Sequence, residues 1–570
     1  MTEIDIRAMP SEMARQDRAR QRFRPERDEI RARIRFAAVF FAATYLVIVG
    51  RLVMLGLAEP SAERAYVDPN EAIATSRPDL VDRNGEILAA DINMASLYAE
   101  PRNIIDPDEA AELISSVLPD LDARGMRKRL TGDAGFVWLK REITPLQKNQ
   151  IHDLGIPGVG FLTESRRFYP GGSTAAHLVG LVDIDNKGIA GFEKTIDDRG
   201  LADLHAAGFA RGEELEPVRL TIDLRVQHIL HDELAKAMDR YRAIGATGVV
   251  LHVRTGEVLA MVSMPDYDPN NPSNALEPDR LNRMVAGVYE LGSVFKSFTF
   301  AMALDAGAVT LGDKIDATRP IRVGRFTIND FHAKRRVLTV PEVFIYSSNI
   351  GAARMALMVG PNGQRAFLDK LGMLDRIATD LPETARPIVP KKWSEITAMT
   401  VAFGHGLAVA PLQIAVADAA LVNGGWLIPP TFTPRSKDEA EQLSRRVIKP
   451  GTSAQLRYLL RLNVEKGSGR RAAVPGYVVG GKTGTAEKVE NGRYSSNKRL
   501  NSFLAAFPMD DPKYVVLVVL DEPKAPSEGG GTTAGSNAAP TVGAVIRRSA
   551  ALLGVEPRVE DDITALLVSN

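Results

Sequence analysis

Residues 289–296 have the sequence YELGSVFK, in which Ser293 stands three positions before Lys296. An apolar pattern follows and ends at Gly307, which predicts a helix. A serine at a helix N-terminus lies where backbone N–H groups and the helix dipole favour a developing negative charge. The lysine lies one turn further on the same face, within reach of the serine hydroxyl. This S-x-x-K pattern therefore predicts a serine nucleophile with a lysine partner.

Lys296 can act as a general base only if it is uncharged part of the time. Lowering a lysine pKa from about 10.4 to near 7 costs about 4 to 5 kcal/mol. Burial among the neighbouring phenylalanines and a second cation close by would supply this shift. Lys482 is our candidate for that cation.

Two further motifs follow in chain order, SSN at residues 347–349 and KTGT at residues 482–485. Ser347 can relay a proton between the lysine and a leaving amine, and the Asn349 amide can hold the substrate backbone or a lysine. An apolar stretch that begins at Tyr477 and two glycines precede KTGT, which predicts a strand. At a sheet edge, such a strand can pair with a peptide substrate.

The KTGT motif also offers groups for an anionic substrate. Lys482 and Thr483 can bind a terminal carboxylate. The backbone N–H groups of Ser293 and Thr485 can form an oxyanion hole, in which fixed donors stabilise charge that develops during acyl transfer. Gly484 stands between the two threonines.

Each motif is weak by itself. SSNK at residues 495–498 matches S-x-x-K as well, but it lies in a polar stretch with no apolar helix behind it, so we interpret it as a solvated loop. Ser293 alone would fit a helix-capping serine with a surface lysine nearby. The three motifs together, each in its expected context, favour a catalytic site. His405, in FGHG at residues 403–406, could line a cleft, but we assign it to a structural turn.

Composition limits the remaining function classes. A chain of 570 residues predicts two or more domains, and a formal net charge of +0 gives no support for a nucleic-acid partner. The absence of cysteine excludes a cysteine nucleophile, zinc–cysteine sites and disulfides. No phosphate-binding or dinucleotide-binding glycine motif is present, and the histidines lack a close pair at metal spacing. We therefore expect neither a cofactor nor a metal.

The N-terminus predicts a membrane anchor. Residues 1–35 are rich in arginine, whereas residues 36–57 carry one charge, Arg51. About 20 apolar residues suffice to cross a hydrocarbon core of roughly 30 Å. The arginine excess predicts a cytoplasmic tail at residues 1–35 and an uncleaved transmembrane segment at residues 36–57. A buried core helix is the alternative.

The rest of the chain divides into two regions. Residues 80–88 predict a hairpin, and Asp106 and Asp223 each stand where a helix N-cap is expected. Residues 161–215 are rich in glycine and charge, which predicts an extended, loop-rich region. We place a domain boundary near residues 212–219.

The chain resembles the class B penicillin-binding proteins from the anchor to about residue 554. YELGS at residues 289–293 is similar to the family's YEPGS, with Leu291 in place of proline. Other matching segments are LTID (220–223), PLQ (411–413), NGG (423–425), DRNG (82–85), RFYP (167–170) and GIAGFE (188–193).

This resemblance implies an α+β fold with a penicillin-binding, serine β-lactamase-like transpeptidase domain at residues 216–554. An antiparallel sheet flanked by helices would form this domain. Residues 58–215 would form an elongated, non-catalytic α+β pedestal (dimerisation-like) domain, and residues 555–570 a C-terminal tail.

The resemblance also implies a two-step acyl transfer without a cofactor or metal. Ser293 would attack the penultimate D-Ala carbonyl of a peptidoglycan stem pentapeptide and release D-Ala, and an amine from a neighbouring stem would resolve the acyl-enzyme. Lys296 would be the base, with Ser347 and Asn349 as relay and orienting groups. β-Lactams would be covalent inhibitors. The substrate-binding residues would be Lys482, Thr483, Gly484 and Thr485.

KTGTA at residues 482–486, GRY at 492–494 and SFL at 502–504 resemble the septal cell-division type within this family. This implies a single-pass protein of a Gram-negative inner membrane with a periplasmic catalytic domain at the septum. Its partners would be division-complex membrane proteins, including a septal glycosyltransferase, and no nucleic acid. The alternatives are an elongation-specific transpeptidase, a β-lactamase or β-lactam sensor on the same fold, and an inactive divisome scaffold.

Overall fold

The computed structural model describes residues 35–50, 77–200, 216–324, 326–490, 493–527 and 530–558. The chain separates into two units, Met1–Asp68 and Pro69–Asn570. In the first unit, residues 35–50 form a helix with exposed apolar side chains. Within the described ranges, no helix has both the length and the apolar character that a membrane span requires. Residues 51–57 of the expected anchor lie outside the described residues, so the anchor stays a prediction.

The N-terminal half of the second unit is an α+β region. Its main sheet has the order β3-β2-β1-β7, and β4 also pairs with β2. The strands are β1 (Leu80–Val81), β2 (Ile87–Ala99), β3 (Val137–Ile143), β4 (Val159–Phe168), β5 (Leu181–Val182), β6 (Gly188–Ala190) and β7 (Val218–Arg219). The helices are α1 (Pro107–Val117), α2 (Ala123–Leu130), α3 (Pro145–Asp153), α4 (Ala176–Val179) and α5 (Gly191–Asp198).

Two local predictions are confirmed in this region. β1 and β2 form the expected antiparallel hairpin. The Asp106 side chain caps α1 by accepting hydrogen bonds from the backbone N–H groups of Asp108 and Glu109. Short-range turn and cap chemistry accounts for both features.

The prediction of a loop-rich region after residue 161 is wrong for residues 161–200. This part contains most of β4, the β5–β6 pair and helices α4 and α5. Its glycines mark close backbone contacts, since a Cβ on Gly180 would lie 1.8 Å from the Ala190 carbonyl oxygen. Its charged residues include Arg167 and Glu193, which are buried and form an ion pair. Residues 201–215 lie outside the described residues.

The second half is built on an antiparallel five-stranded sheet of order β16-β17-β18-β8-β9. Its strands are β8 (Gly245–His252), β9 (Val258–Met264), β16 (Gly480–Glu490), β17 (Arg493–Phe507) and β18 (Tyr514–Asp521). Small two-stranded pairs surround it, formed by β10 (Lys314–Asp316), β11 (Ile321–Val323), β12 (Phe326–Ile328), β13 (Val337–Thr339), β14 (Trp426–Leu427) and β15 (Arg445–Arg446).

Both faces of this sheet are covered. Along β18, Val515 and Leu517 join one core cluster, whereas Val516 and Val518 join the other. Because successive side chains of a strand point to opposite faces, this alternation requires apolar layers on both sides. The helices of this half are α6 (Leu224–Tyr241), α7 (Lys296–Asp305), α8 (Val340–Ile345), α9 (Asn349–Val359), α10 (Pro361–Lys370), α11 (Glu395–Val401), α12 (Pro411–Val422), α13 (Lys437–Leu443), α14 (Pro450–Lys466) and α15 (Ala538–Ser549).

The two faces carry different helices. Helices α6 and α15 contribute Val226, Leu230 and Val542 to one cluster, and the entirely buried helix α12 contributes Leu412 to the other. Asp223 caps α6, as its position in the sequence predicted. The sheet with its helical layers confirms the α+β arrangement expected for this half.

Candidate active site

Ser293 lies on a short 3₁₀ turn, Gly292–Phe295, that leads directly into α7. Gly292 has a positive φ of 56°, and a Cβ there would lie 2.6 Å from the Thr485 carbonyl oxygen. Only glycine combines this backbone conformation with so close an approach. The turn that carries the serine is therefore held against strand β16, and the predicted helix from residue 296 to Gly307 is confirmed.

Lys296 has no exposed surface, and its Nζ lies 3.1 Å from Ser293 Oγ. The same nitrogen lies 2.7 Å from Asn349 Oδ1. Burial and then the charge of Lys482 lower the pKa of Lys296 well below its ordinary value, against an opposing effect of Asp330. An uncharged amine next to a serine hydroxyl can accept its proton.

Ser347 lies between the two lysines. Its Oγ is 3.0 Å from Lys296 Nζ and 3.0 Å from Lys482 Nζ. Ser347 has a φ of 55°, a conformation that non-glycine residues rarely adopt and that functional sites often retain.

Burial lowers the pKa of Lys482 to about 7, and its ammonium lies 5.7 Å from the centre of the Phe344 ring.

A carboxylate outside the three motifs holds the SSN turn in place. Asp330 accepts a hydrogen bond of 2.7 Å from the Ser348 hydroxyl and one of 2.9 Å from the Ile350 backbone N–H. Asn349 donates a hydrogen bond of 2.9 Å to the Asn329 carbonyl. Sequence reasoning missed Asp330, because no local pattern connects the loop after β12 with helix α9.

Strand β16 forms the other border of the site and is an edge strand of the sheet. It runs from Gly480 to Glu490 and contains KTGT, so the predicted strand is confirmed, but its predicted start at Tyr477 is wrong. The preceding residues form a turn instead, in which Gly476 has a φ of 85° and the Tyr477 N–H bonds the Val474 carbonyl. A Cβ on Gly484 would lie 2.2 Å from the Leu291 carbonyl oxygen, which explains the glycine in this motif.

Side chains from the end of α14 support β16. Thr483 Oγ1 shares a hydrogen bond of 2.6 Å with the Ser468 hydroxyl. Asn463 donates a hydrogen bond of 2.7 Å to the Gly481 carbonyl. Two residues after Thr483, Thr485 Oγ1 accepts a hydrogen bond from the Ala534 backbone N–H. Sequence reasoning missed Asn463 and Ser468, which lie outside every motif.

The structure brings Ser293, Lys296, Ser347, Asn349 and Lys482 into direct contact and places β16 beside them. The second S-x-x-K match is not part of this group. Residues 495–498 lie within strand β17, where Ser495 pairs with Lys488. Their interpretation as a solvated loop is wrong, because pairing with β16 imposes a strand on a polar sequence.

His405 lies in a turn, as predicted, between Gly404 and Gly406, which both have positive φ. The turn also contacts the site: a Cβ on Gly404 would lie 2.0 Å from the Gly292 carbonyl oxygen. Burial, and then the charge of Lys296, lower the pKa of His405 to about 4. The imidazole is therefore uncharged at neutral pH.

Comparison with known proteins adds independent findings. Residues 246–547 match the penicillin binding protein transpeptidase domain, and residues 72–202 match the penicillin-binding protein dimerisation domain. The probable peptidoglycan D,D-transpeptidase FtsI of Caulobacter vibrioides is 40% identical over 95% of this chain and 92% of its own length.

Two further relatives are similar over most of the chain. The probable peptidoglycan D,D-transpeptidase PenA of Neisseria gonorrhoeae is 34% identical over 85% of this chain and 86% of its own length. The peptidoglycan D,D-transpeptidase FtsI of Escherichia coli K12 is 30% identical over 85% of both chains.

Proposed function

Because this chain belongs to the penicillin-binding protein transpeptidases, we propose that it is a peptidoglycan D,D-transpeptidase that cross-links stem peptides through an acyl-enzyme on Ser293. The observation that carries this proposal is the contact of 3.1 Å between Ser293 Oγ and the fully buried amine of Lys296. A lysine of depressed pKa at this distance is a competent base for a serine hydroxyl.

In the first step, Lys296 takes the Ser293 proton while the oxygen attacks the penultimate D-Ala carbonyl of the donor stem. The backbone N–H groups of Ser293 and Thr485 stabilise the oxyanion. The C–N bond then breaks, and the leaving D-Ala nitrogen receives a proton through Ser347. The position of Ser347 Oγ, 3.0 Å from both lysine amines, supports this relay.

The terminal carboxylate of the donor binds Lys482 and Thr483. With a pKa of about 7, Lys482 is charged in a large fraction of the molecules at neutral pH, and a bound carboxylate favours that charged form. In the second step, an amine of a neighbouring stem attacks the ester, and the Ser293 oxygen leaves and regains a proton. β-Lactams carry a comparable carboxylate and acylate the same serine.

A synthetic stem pentapeptide with a free side-chain amine tests this reaction. The full-length protein is expected to release D-Ala and to form cross-linked dimers, and Ser293→Ala is expected to abolish both products. Dimers formed by Ser293→Ala at the wild-type rate would overturn the proposal. Rapid turnover of a chromogenic cephalosporin would favour a β-lactamase instead.

We further propose that the enzyme works at the division septum, with residues 1–35 in the cytoplasm, residues 36–57 as a single span of a Gram-negative inner membrane and the catalytic domain in the periplasm. Relatives that carry the name FtsI support this role. Division-complex membrane proteins, including a septal glycosyltransferase, are the proposed partners. We also propose that residues 58–215 form the non-catalytic pedestal, residues 216–554 the transpeptidase domain and residues 555–570 a C-terminal tail.

Depletion in cells distinguishes the cellular roles. Filamentous cells are the expected result for a division enzyme, whereas rounded cells would indicate an elongation enzyme. Cells that carry only Ser293→Ala are expected to fail in division. Normal division of those cells, with lethality of the deletion, would indicate an inactive scaffold.

A further inference from the structure

A carboxylate lies close to the nucleophile turn and has no role in the reaction described so far. Glu290 is half-buried and precedes Ser293 by three residues. Its Oε1 accepts a hydrogen bond of 2.9 Å from the Gly406 backbone N–H, and its Oε2 accepts one of 3.1 Å from the Tyr494 hydroxyl. The carboxylate therefore connects the nucleophile turn, the turn at residues 403–406 and strand β17.

The charge of this carboxylate is not paired within the part of the chain that the structure describes, where no lysine or arginine forms an ion pair with Glu290. Burial raises the pKa of Glu290, and the bonds from Gly406 and Tyr494 only partly oppose this effect. The fully buried Glu193, by contrast, forms ion pairs with two arginines. A half-buried anion without a cation is costly, which points to a ligand that supplies the charge.

The neighbouring histidine does not supply it. The His405 ring packs edge-on against Tyr494, with ring centres 5.3 Å apart, and its buried Nδ1 has no hydrogen-bond partner among the described residues. A pKa of about 4 leaves His405 uncharged at neutral pH. The turn that carries His405 lies against the nucleophile turn, since a Cβ on Gly404 would lie 2.0 Å from the Gly292 carbonyl oxygen. A cation bound to Glu290 would therefore lie beside the turn that carries Ser293.

We propose that Glu290 binds the ammonium group of the acceptor peptide in the second half-reaction and accepts one of its protons, which leaves a neutral amine to attack the ester. Tyr494 and the Gly406 amide position the carboxylate. When the amide bond forms, the nitrogen gives up a second proton, which passes through Lys296 to the departing Ser293 oxygen.

This inference rests on the proposed function, because a transpeptidase must bring an amine to its acyl-enzyme. The two substrates then use opposite charges of the protein. The donor carboxylate binds Lys482, and the acceptor ammonium binds Glu290.

The partition of the acyl-enzyme between amine and water tests the inference. The full-length protein is acylated with a thioester donor, and D-alanine is added as the acceptor probe. Amide and acid products are measured over a range of D-alanine concentrations. In Glu290→Gln, the apparent KM for D-alanine is expected to rise roughly tenfold, the loss typical of a hydrogen bond to a charged group. Acylation by fluorescent penicillin is expected to stay within about twofold, because no amine acceptor takes part in it.

Two further variants sharpen the test. Tyr494→Phe removes one hydrogen bond to the carboxylate and is expected to raise the KM for D-alanine less than Glu290→Gln does. Glu487→Gln is the matched control. Its carboxylate lies close enough to help raise the pKa of Tyr494, yet it has no place in the proposed contact, so the KM is expected to stay unchanged.

An unchanged KM in Glu290→Gln would overturn the inference. An equal loss of penicillin acylation and aminolysis would also overturn it, since that result indicates a structural role. Absence of penicillin acylation in the unmodified protein would instead refute the proposed function itself.

Discussion

Lys296 and Lys482 lie in the same pocket without exposed surface, yet the proposed reaction requires opposite charges on them. Lys296 must be neutral to accept a proton, whereas Lys482 must be charged to bind a carboxylate. Burial lowers the pKa of both, and the charge of Lys482 lowers that of Lys296 further. The charged lysine therefore helps to keep its neighbour neutral.

This difference predicts a pH profile. As pH rises through about 7, Lys482 loses its proton, so the second-order rate constant for acylation by penicillin is expected to fall. Stopped-flow acylation between pH 6 and 9 measures it. Lys482→Arg keeps its charge throughout this range and is expected to show no decrease near pH 7. A wild-type rate that rises steadily to pH 9 would contradict this assignment.

The same burial predicts a stability effect. The pKa of Lys482 is lower in the folded state than in the unfolded chain, so the unfolded chain binds more protons between about pH 7 and 10. Lys482 therefore lowers the free energy of unfolding at pH 7, and this effect disappears as pH approaches 10. Lys482→Met is expected to be more stable by about 2 to 4 kcal/mol at pH 7.

Urea unfolding of both proteins at pH 7 and pH 10 measures this difference, which is expected to shrink at the higher pH. A variant that is less stable at pH 7, or a difference that does not depend on pH, would contradict the explanation.

Two neighbouring elements determine where Ser293 lies. Its turn contacts strand β16 through Gly292 and Gly484, and the turn at residues 403–406 through Gly404. In each case a Cβ would overlap a backbone atom of the partner. Glycine here permits close backbone contact between segments that are far apart in sequence.

A matched pair of glycine variants tests this contact. Gly404 and Gly424 have φ values of 88° and 93°, but a Cβ at Gly404 would lie 2.0 Å from the Gly292 oxygen, whereas a Cβ at Gly424 would meet nothing within 4 Å. Both alanine variants carry similar backbone strain. Gly404→Ala alone is expected to displace Ser293 and to slow penicillin acylation about a hundredfold. Equal rates in the two variants would show that the contact does not position the serine.

Sequence patterns predicted the elements whose signals are local. The helix after Ser293, the Asp223 cap and the β1–β2 hairpin each follow from residues within one or two turns of the chain. The start of β16 and the strand at residues 495–498 depend on pairing with neighbouring strands. The local composition of these segments therefore gave wrong predictions. The role of Asp330 was not predicted for the same reason, because its contacts with Ser348 and Ile350 join residues about twenty positions apart in the sequence.

In the second unit, part of the N-terminal half shares one apolar core with the half that carries the catalytic motifs. A single cluster contains Leu80 and Phe192 from the N-terminal half and Phe298 from α7. A separate cluster around Leu97 and Ile114 lies elsewhere in the N-terminal half. We therefore expect the residues nearest the catalytic half to unfold together with it.

A buried ion network joins segments of the N-terminal half next to this core. Glu193 Oε2 lies 2.9 Å from Arg77 Nε, and Glu193 Oε1 lies 2.7 Å from Arg167 Nε, with all three side chains almost fully buried. Glu193→Gln would leave both arginines without this charge and is expected to lower the free energy of unfolding by about 3 kcal/mol. Urea unfolding measures the loss.

Asp108→Asn is the control, because the Asp108–Arg127 pair is largely exposed and is expected to contribute little. Similar losses in the two variants would show that burial does not determine the contribution of these pairs.

Penicillin labelling of the full-length chain, followed by peptide mapping, identifies the residue that forms the acyl-enzyme. We expect a single adduct on Ser293, and none in Ser293→Ala. An adduct on Ser347, on Ser495 or elsewhere in the chain would contradict the assignment of Ser293 as the nucleophile, and so would an unlabelled wild-type protein.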